Sequence, residues 1–178
     1  MAGKLPPLAL MTDDDRLADP LAAASALPRG SLVVVRARDA SNRERLTRAM
    51  LELARRRMLI VLVADDPHLA AKLGADGLHL PDRRAREAAH WRARHPNWLI
   101  SAACHGRRPI TASLDFIFLS AVFPTGSHPG RAALGAVRAN AMAHAIAIPA
   151  YALGGIDAHN ARLLHGFAGI AAIGALQV

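Results

Sequence analysis

The sequence predicts a compact (β/α)8 TIM barrel with short units, formed as a single domain by residues 1–178. Short apolar runs alternate about eight times with stretches at helical spacing, a pattern typical of parallel sheets. The run at 31–35 is rich in β-branched residues, as expected for a strand buried on both faces. Gly154 and Gly155 end a late run, and another glycine-containing run follows about one helix later, as in the phosphate site after the last two strands of such barrels.

The predicted strands and helices follow one another along the chain. Strands are expected over residues 8–11, 31–35, 58–63, 78–80, 98–103, 114–119, 150–153 and 169–176. Helices are expected over residues 17–27, 43–57, 69–73, 83–95, 135–146 and about 157–164. Ser41 is a candidate cap of the second helix, while Asp66 and Pro67 suit the N-cap and first position of the third.

The sequence also bears on an alternative architecture and on the last helix of the barrel. An open, doubly wound parallel sheet is the alternative architecture, but no Gly-x-Gly-x-x-Gly motif follows the first strand. The last helix of a full barrel is expected to be missing, because the chain ends shortly after the final run. An apolar patch left on the barrel wall is a candidate surface for a homo-oligomer.

Charge and composition exclude several classes of protein. The formal net charge of +8 comes mostly from arginine, concentrated in residues 43–57 and 83–94. These arginines lie in predicted helices without interleaved aromatic residues, so we expect solvated faces and no nucleic-acid partner. A single cysteine excludes an internal disulfide, and no apolar run reaches the roughly 18 residues of a membrane span. With no secretory signal, the expected location is the cytoplasm.

Several polar residues follow the predicted strands, at the end of the barrel where such proteins bind ligands. Arg36 and Arg38 share one face after the second strand, pointing either at a ligand or into solvent. Asp65 ends the third strand and is a candidate Mg²⁺ ligand, because that cation prefers hard oxygen donors. His105 ends the fifth strand and is a candidate general acid or base. Its neighbour Cys104 is expected to be buried and inert on the opposite face.

The glycine pair offers a second kind of site. Gly154 and Gly155 allow a backbone turn with positive φ, whose N–H groups at a strand end suit a phosphate. The alternative is a simple turn from strand to helix. The polar loop 126–131 has the composition of a mobile lid over a site.

Together these stretches resemble the thiamin phosphate synthase and thiazole tautomerase superfamily of compact (β/α)8 barrels. The resemblance rests on residues 64–66, 73–80, 122–125, 134–135, 148–156 and 169–176, in this order. In the synthase, hydroxymethylpyrimidine pyrophosphate ionises, pyrophosphate leaves with Mg²⁺, and the nitrogen of thiazole phosphate traps the cation. The resemblance therefore implies two phosphorylated small molecules as ligands.

The resemblance also implies roles for individual residues. The thiazole phosphate is implied to lie on Gly154, Gly155 and the backbone of Gly174 and Ala175. Arg38 matches the pyrimidine-side arginine, and Arg36 replaces the glutamine two residues before it. Asp65 matches the first metal aspartate, and Asp82 is the candidate for the second. The pyrophosphate loop is implied to use the hydroxyls of Thr125 and Ser127, with His128 and Arg131 close to the pyrophosphate.

Departures from the superfamily's pattern leave three functions open. Ala40 and His128 replace two lysines, Ala103 and Gly174 replace two serines, and residues 81–84 replace Gly-Gln-x-Asp. Arg84 is a candidate to offset either the lost cation at residue 40 or the lost metal. A synthase, a thiazole tautomerase that uses His105, and a non-catalytic binder of thiazole phosphate or thiamin phosphate all agree with this pattern.

Overall fold

The computed structural model describes residues 5–106, 112–125 and 132–173 and contains a closed parallel barrel. Its eight strands pair in sequence order, and the eighth pairs with the first. The strands are β1 (Leu8–Met11), β2 (Leu32–Val35), β3 (Ile60–Ala64), β4 (Gly77–Leu80), β5 (Leu99–Cys104), β6 (Phe116–Leu119), β7 (Ala150–Leu153) and β8 (Gly169–Ala172). The predicted (β/α)8 fold is confirmed, and the open-sheet alternative is excluded.

Five α-helices in the described residues lie outside the barrel. They are α1 (Pro20–Ala26), α2 (Ala40–Arg57), α3 (Pro67–Leu73), α4 (Ala88–Arg94) and α5 (Ala136–Ala145). Asp66 caps α3 by accepting a hydrogen bond from the backbone N–H of Leu69 at 2.9 Å, and Pro67 begins the helix, as predicted. None of the helices in these ranges combines the length and apolar character needed to cross a bilayer.

The helices between the strands are less regular than the strand–helix alternation of the sequence predicts. The helix predicted over 83–95 is a 3₁₀ helix, Asp82–Glu87, followed by α4. The helix predicted over 157–164 is only a 3₁₀ turn, Ala161–Leu163. The Asp157 carboxylate accepts from the N–H groups of His159 and Asn160 as at a helix start, but the backbone becomes extended at Leu164, where the helical hydrogen bonding stops. The described residues between β5 and β6 contain no helix.

The cap predicted for α2 was also wrong. Asp39, not Ser41, is the N-cap residue, and its carboxylate accepts from the backbone N–H of Asn42 at 2.7 Å. The Ser41 hydroxyl donates to the same carboxylate at 2.5 Å. The carboxylate reaches the free N–H because Asp39 has an extended backbone, whereas Ser41 already lies inside the helix.

The barrel interior is filled by side chains from alternate positions of the strands. Three rings, those of Phe116, Phe118 and Tyr151, have centroids 5.3–5.6 Å apart and are fully buried. The Tyr151 hydroxyl donates to the carbonyl oxygen of Pro6, ahead of β1. In the described residues, this aromatic cluster fills the barrel interior below the carboxyl ends of the strands.

We expect Phe116→Ala to lower the free energy of unfolding by about 3–5 kcal/mol, because the buried ring leaves a cavity that its neighbours cannot fill. Val137→Ala is the control, since this side chain is 87% exposed and its loss is expected to change stability by less than about 0.5 kcal/mol. Urea denaturation measures both values. A loss at Phe116 as small as that at Val137 would contradict the packing.

Candidate active site

A cavity of about 690 Å³ lies at the carboxyl ends of the strands. Its wall combines polar residues that follow the strands with an apolar floor that includes Met11, Phe118 and Ala171. Seven residues predicted from the sequence line it: Arg36, Arg38, Asp65, His105, Thr125, Gly154 and Gly155. Residues separated by more than a hundred positions in the chain thus face one space.

Of the six other predicted site residues, the structure describes only Asp82. Asp82 begins the 3₁₀ helix after β4 and lies outside the cavity lining. Ser127, His128 and Arg131 of the predicted pyrophosphate loop lie outside the described residues, as do Gly174 and Ala175 after β8. The roles that the resemblance implies for these five residues stay predictions.

The glycine pair allows two backbone segments to pack directly on each other. Gly154 and Gly155 have φ values of +100° and +62°. A Cβ at Gly155 would lie 2.2 Å from the carbonyl oxygen of Pro124, and the carbonyl oxygen of Gly154 accepts from the N–H of Phe123 at 3.0 Å. The glycines are therefore required by the contact between the end of β7 and the segment after β6, in addition to any contact with a ligand.

The β1 and β2 ends form the cationic side of the cavity. The buried Thr12 hydroxyl bridges the strand ends, accepting from the N–H of Arg36 and donating to its carbonyl oxygen, both at 2.7 Å. Asp13 accepts from Arg16 at 2.6 Å and lies 3.8 Å from the Arg36 guanidinium. Burial acts to raise the pKa of the Asp13 carboxyl. The hydrogen bond from Arg16 and the positive charges of Arg16 and Arg36 outweigh burial, so this pKa is lower than usual.

The two arginines after β2 differ in their partners. Arg38 lies at the rim, where its guanidinium forms a two-point ion pair with Asp15 and its side chain is 79% exposed. Arg36 is 41% exposed in its side chain and faces the cavity. Burial lowers the pKa of Arg36; the Asp13 carboxylate opposes this shift, while Arg16 and Arg38 add to it. The guanidinium stays charged, because arginine is not deprotonated in proteins.

Asp65, predicted to bind metal, has both carboxylate oxygens in ion pairs with arginine. Arg84 donates through Nη1 to Oδ1, and Arg83 donates through Nη2 to Oδ2 at 3.1 Å. Arg84 also donates to Glu87 at 2.7 and 2.6 Å, and its pKa is raised by Glu87 first and then by Asp65. The described part of the chain holds no group of three or more histidine, cysteine or carboxylate side chains placed to bind a metal ion. These donors do not fit Mg²⁺, which needs free oxygen ligands.

Two histidines face the cavity from adjacent strands. The His105 Nδ1 lies 3.0 Å from the Ser120 hydroxyl, while Cys104 is buried on the other face, as predicted. The His79 Nδ1 lies 3.0 Å from the Ser101 hydroxyl, and its ring packs edge-on against Phe118. Burial, with smaller effects from the charges of Arg36 and His105, lowers the pKa of His79 to about 3, so this imidazole is neutral at physiological pH.

Sequence reasoning missed His79 and the pair Asp13 and Arg16. His79 lies between Leu78 and Leu80 in a short strand, and the alternation of side chains gave a signal that it faces the barrel interior. Asp13 belongs to the polar stretch directly after β1, a position that commonly contributes to the sites of these barrels. Their pairing with residues after β2 depends on the folded structure.

The fold and the cavity define the class of this protein: it is a (β/α)8 barrel with a polar cavity at the carboxyl ends of its strands. The family model described as thiamine monophosphate synthase matches residues 8–176. The chain therefore belongs to the thiamine monophosphate synthase family, as the resemblance in the sequence implied.

Individual relatives agree with this assignment. The chain is 33% identical over 156 residues to the thiamine-phosphate synthase of Thioalkalivibrio sulfidiphilus, covering 79% of this chain and 71% of that protein. It is 33% identical over 135 residues to the thiamine-phosphate synthase of Methylobacillus flagellatus, covering 72% of this chain and 64% of that protein. The thiamine phosphate pyrophosphorylase structure from Pyrococcus furiosus shares the fold, with a TM-score of 0.76 at 23% identity over 93% of this chain and 84% of that one.

The neutral state of buried His79 makes stability depend on pH. The unfolded chain binds a proton at this histidine below about pH 6.5, whereas the folded protein does not until about pH 3. We expect the free energy of unfolding to fall with decreasing pH across this window, by up to about 1.4 kcal/mol per pH unit from this group. In urea denaturation, His79→Gln should lose this component and exposed His159→Gln should keep it. Equal slopes in the wild type and His79→Gln would contradict the buried neutral imidazole.

Proposed function

We propose that the chain catalyses the thiamin phosphate synthase reaction, coupling hydroxymethylpyrimidine pyrophosphate to thiazole phosphate with release of pyrophosphate. The observation that carries this proposal is a single cavity with an arginine side at β1 and β2 and a glycine side at β7, in a chain of this family. These two sides suit the two anionic substrates. The volume of about 690 Å³ lies in the usual range for small-molecule sites.

The proposed reaction exchanges one bond at the methylene carbon of the pyrimidine. Its bond to the pyrophosphate oxygen breaks, the electron pair leaves with pyrophosphate, and the thiazole nitrogen supplies the pair for the new carbon–nitrogen bond. Arg36 and Arg38 stabilise the negative charge that develops on the leaving group. Met11 and Phe118 form an apolar floor, which limits attack of water on the cationic intermediate.

The thiazole phosphate is proposed to lie at the end of β7. Gly154 and Gly155 line the cavity there with positive φ values, and Asn160 donates to the carbonyl oxygen of Gly155 at 2.8 Å. Backbone N–H groups in such a turn suit a phosphate without adding a titratable group. This end follows β7 and the arginines follow β2, which are not neighbours in the barrel, so the two anions are proposed to occupy different parts of the cavity.

We expect purified protein to form thiamin phosphate from the two substrates, and Gly155→Ala to lower kcat/KM for thiazole phosphate at least about tenfold. The added Cβ would lie 2.2 Å from the carbonyl oxygen of Pro124 and would displace the β7 end. The control is Gly30→Ala, which has a similar φ of +81° but no atom within 4 Å of the added Cβ. Absence of product at every substrate concentration would reject the synthase assignment.

A thiazole tautomerase is the second candidate, favoured by the placement of His105. This histidine lines the cavity, and the Ser120 hydroxyl at 3.0 Å from Nδ1 can fix the orientation of the ring. Moving a proton on a bound thiazole phosphate requires an acid–base group and a phosphate site but no metal. The engagement of Asp65 by two arginines is compatible with that chemistry.

His105→Asn distinguishes the two candidates. If the protein is a tautomerase, we expect isomerisation of the thiazole phosphate, followed by NMR, to fall at least about a hundredfold, because the proton-transferring group is lost. If it is a synthase, coupling should continue in this variant at a reduced rate. A variant that isomerises as fast as the wild type would exclude His105 as the acid–base group.

A further inference from the structure

Asp65, Arg83, Arg84 and Glu87 form a connected network, here called the Asp65 clamp. Each carboxylate oxygen of Asp65 accepts from a different arginine, and Arg84 is held in turn by two hydrogen bonds to Glu87. The backbone N–H of Asp65 donates to the carbonyl oxygen of His79 at 2.9 Å, which fixes the residue at the junction of β3 and β4. The clamp neutralises Asp65 before any ligand arrives.

The clamp opposes metal binding at Asp65 by competition. A divalent cation would have to displace at least one guanidinium from the carboxylate and lie close to the positive charges of both arginines. Within the described part of the lining, Asp13 is the one other carboxylate, and it is held by Arg16 at 2.6 Å. Among the described residues, the charged groups of the cavity lining are therefore three arginines, Arg16, Arg36 and Arg38, against two carboxylates that are already paired.

Among the described arginines of the cavity lining, Arg36 has unused hydrogen-bonding capacity. Over residues 5–106, 112–125 and 132–173, its guanidinium donates no hydrogen bond, and its one ion pair is the 3.8 Å approach to Asp13. Its backbone is fixed by two hydrogen bonds to Thr12, so the side chain starts from a rigid strand end. A planar, partly desolvated guanidinium on a fixed backbone can donate two hydrogen bonds to the oxygens of one phosphate group.

We propose that this protein binds the pyrophosphate group of its substrate directly on Arg36, without a divalent cation, and that the Asp65 clamp is the reason. In the clamp, two arginines occupy the carboxylate that a metal ion would need, and Arg36 supplies the positive charge that the metal ion would otherwise provide. The identity of the ligand as a pyrophosphate rests on the proposed function. The absence of a metal requirement rests on the clamp and on Arg36 alone.

Titration calorimetry with inorganic pyrophosphate tests this inference without turnover. We expect pyrophosphate to bind in EDTA at least as tightly as in excess MgCl₂, because Mg²⁺ competes with Arg36 for the same oxygens. Arg36→Gln should weaken binding in EDTA by about tenfold or more, and Arg36→Lys, which keeps the charge but not the two-point geometry, should weaken it less. The matched control is Arg45→Gln on the exposed side of α2, where the guanidinium donates to the Asn42 side chain at 2.9 Å, and its affinity should equal that of the wild type.

A double variant tests the clamp itself. Arg83→Gln with Arg84→Gln frees both oxygens of Asp65, so we expect pyrophosphate binding by this variant to become tighter when MgCl₂ is added. Thermal unfolding of each variant verifies that it is folded. If the double variant does not fold, Arg83→Gln alone, which changes an exposed side chain, provides the same comparison in weaker form.

The outcomes separate this inference from the proposed function. Binding in EDTA that is lost in Arg36→Gln supports the inference even if no thiamin phosphate forms. Binding that requires MgCl₂ in the wild type overturns the inference, even if the protein proves to be an active synthase. Failure of pyrophosphate to bind in either buffer, or equal affinities of the wild type and Arg36→Gln, overturns it as well.

Discussion

Closure of the sheet between β8 and β1 is the constraint on which the site depends. Because all eight strands are parallel, their carboxyl ends meet at one rim, and residues as distant in the chain as Asp13 and Gly155 face the same cavity. Closure requires glycine at position 169, where a Cβ would lie 2.3 Å from the carbonyl oxygen of Pro7 and 2.8 Å from the Tyr151 ring. Gly169, which is not part of the described cavity lining, is thus needed for the polar groups of the rim to converge.

The rim is a set of ion pairs that leaves the cavity positively charged. Asp13 pairs with Arg16, Asp15 with Arg38, and Asp65 with two arginines of the segment after β4. Exposed pairs of this kind contribute little to stability, so their importance lies in the electrostatic potential they leave behind. The carboxylates hold the arginines in place at the mouth, and the excess of arginine attracts anions.

The fold was predictable because its signals are local, whereas much of the site was not. β-branched runs and helical spacing can be recognised from a few neighbouring residues. Alternation along β5 correctly predicted that Cys104 is buried and that His105, on the other face, lines the cavity. The resemblance implied a metal role for Asp65, but the partners of its carboxylate come from a segment 19 residues away in a 3₁₀ helix that was predicted as an α-helix. Alternation in β4 indicates that His79 faces the interior, but its neutrality depends on full burial by residues of other strands, which the sequence does not give.

The aromatic cluster inside the barrel has a consequence for the order of events at the site. Phe116, Phe118 and Tyr151 fill the space below the cavity, and the Tyr151 hydroxyl reaches Pro6 at the opposite end of the barrel. Among the described residues, these buried rings separate the cavity from the amino ends of the strands, so the cavity opens at the carboxyl ends. A ligand seated on the apolar floor would have to enter before a second ligand that lies above it, so we expect two such ligands to bind in a fixed order rather than in random order.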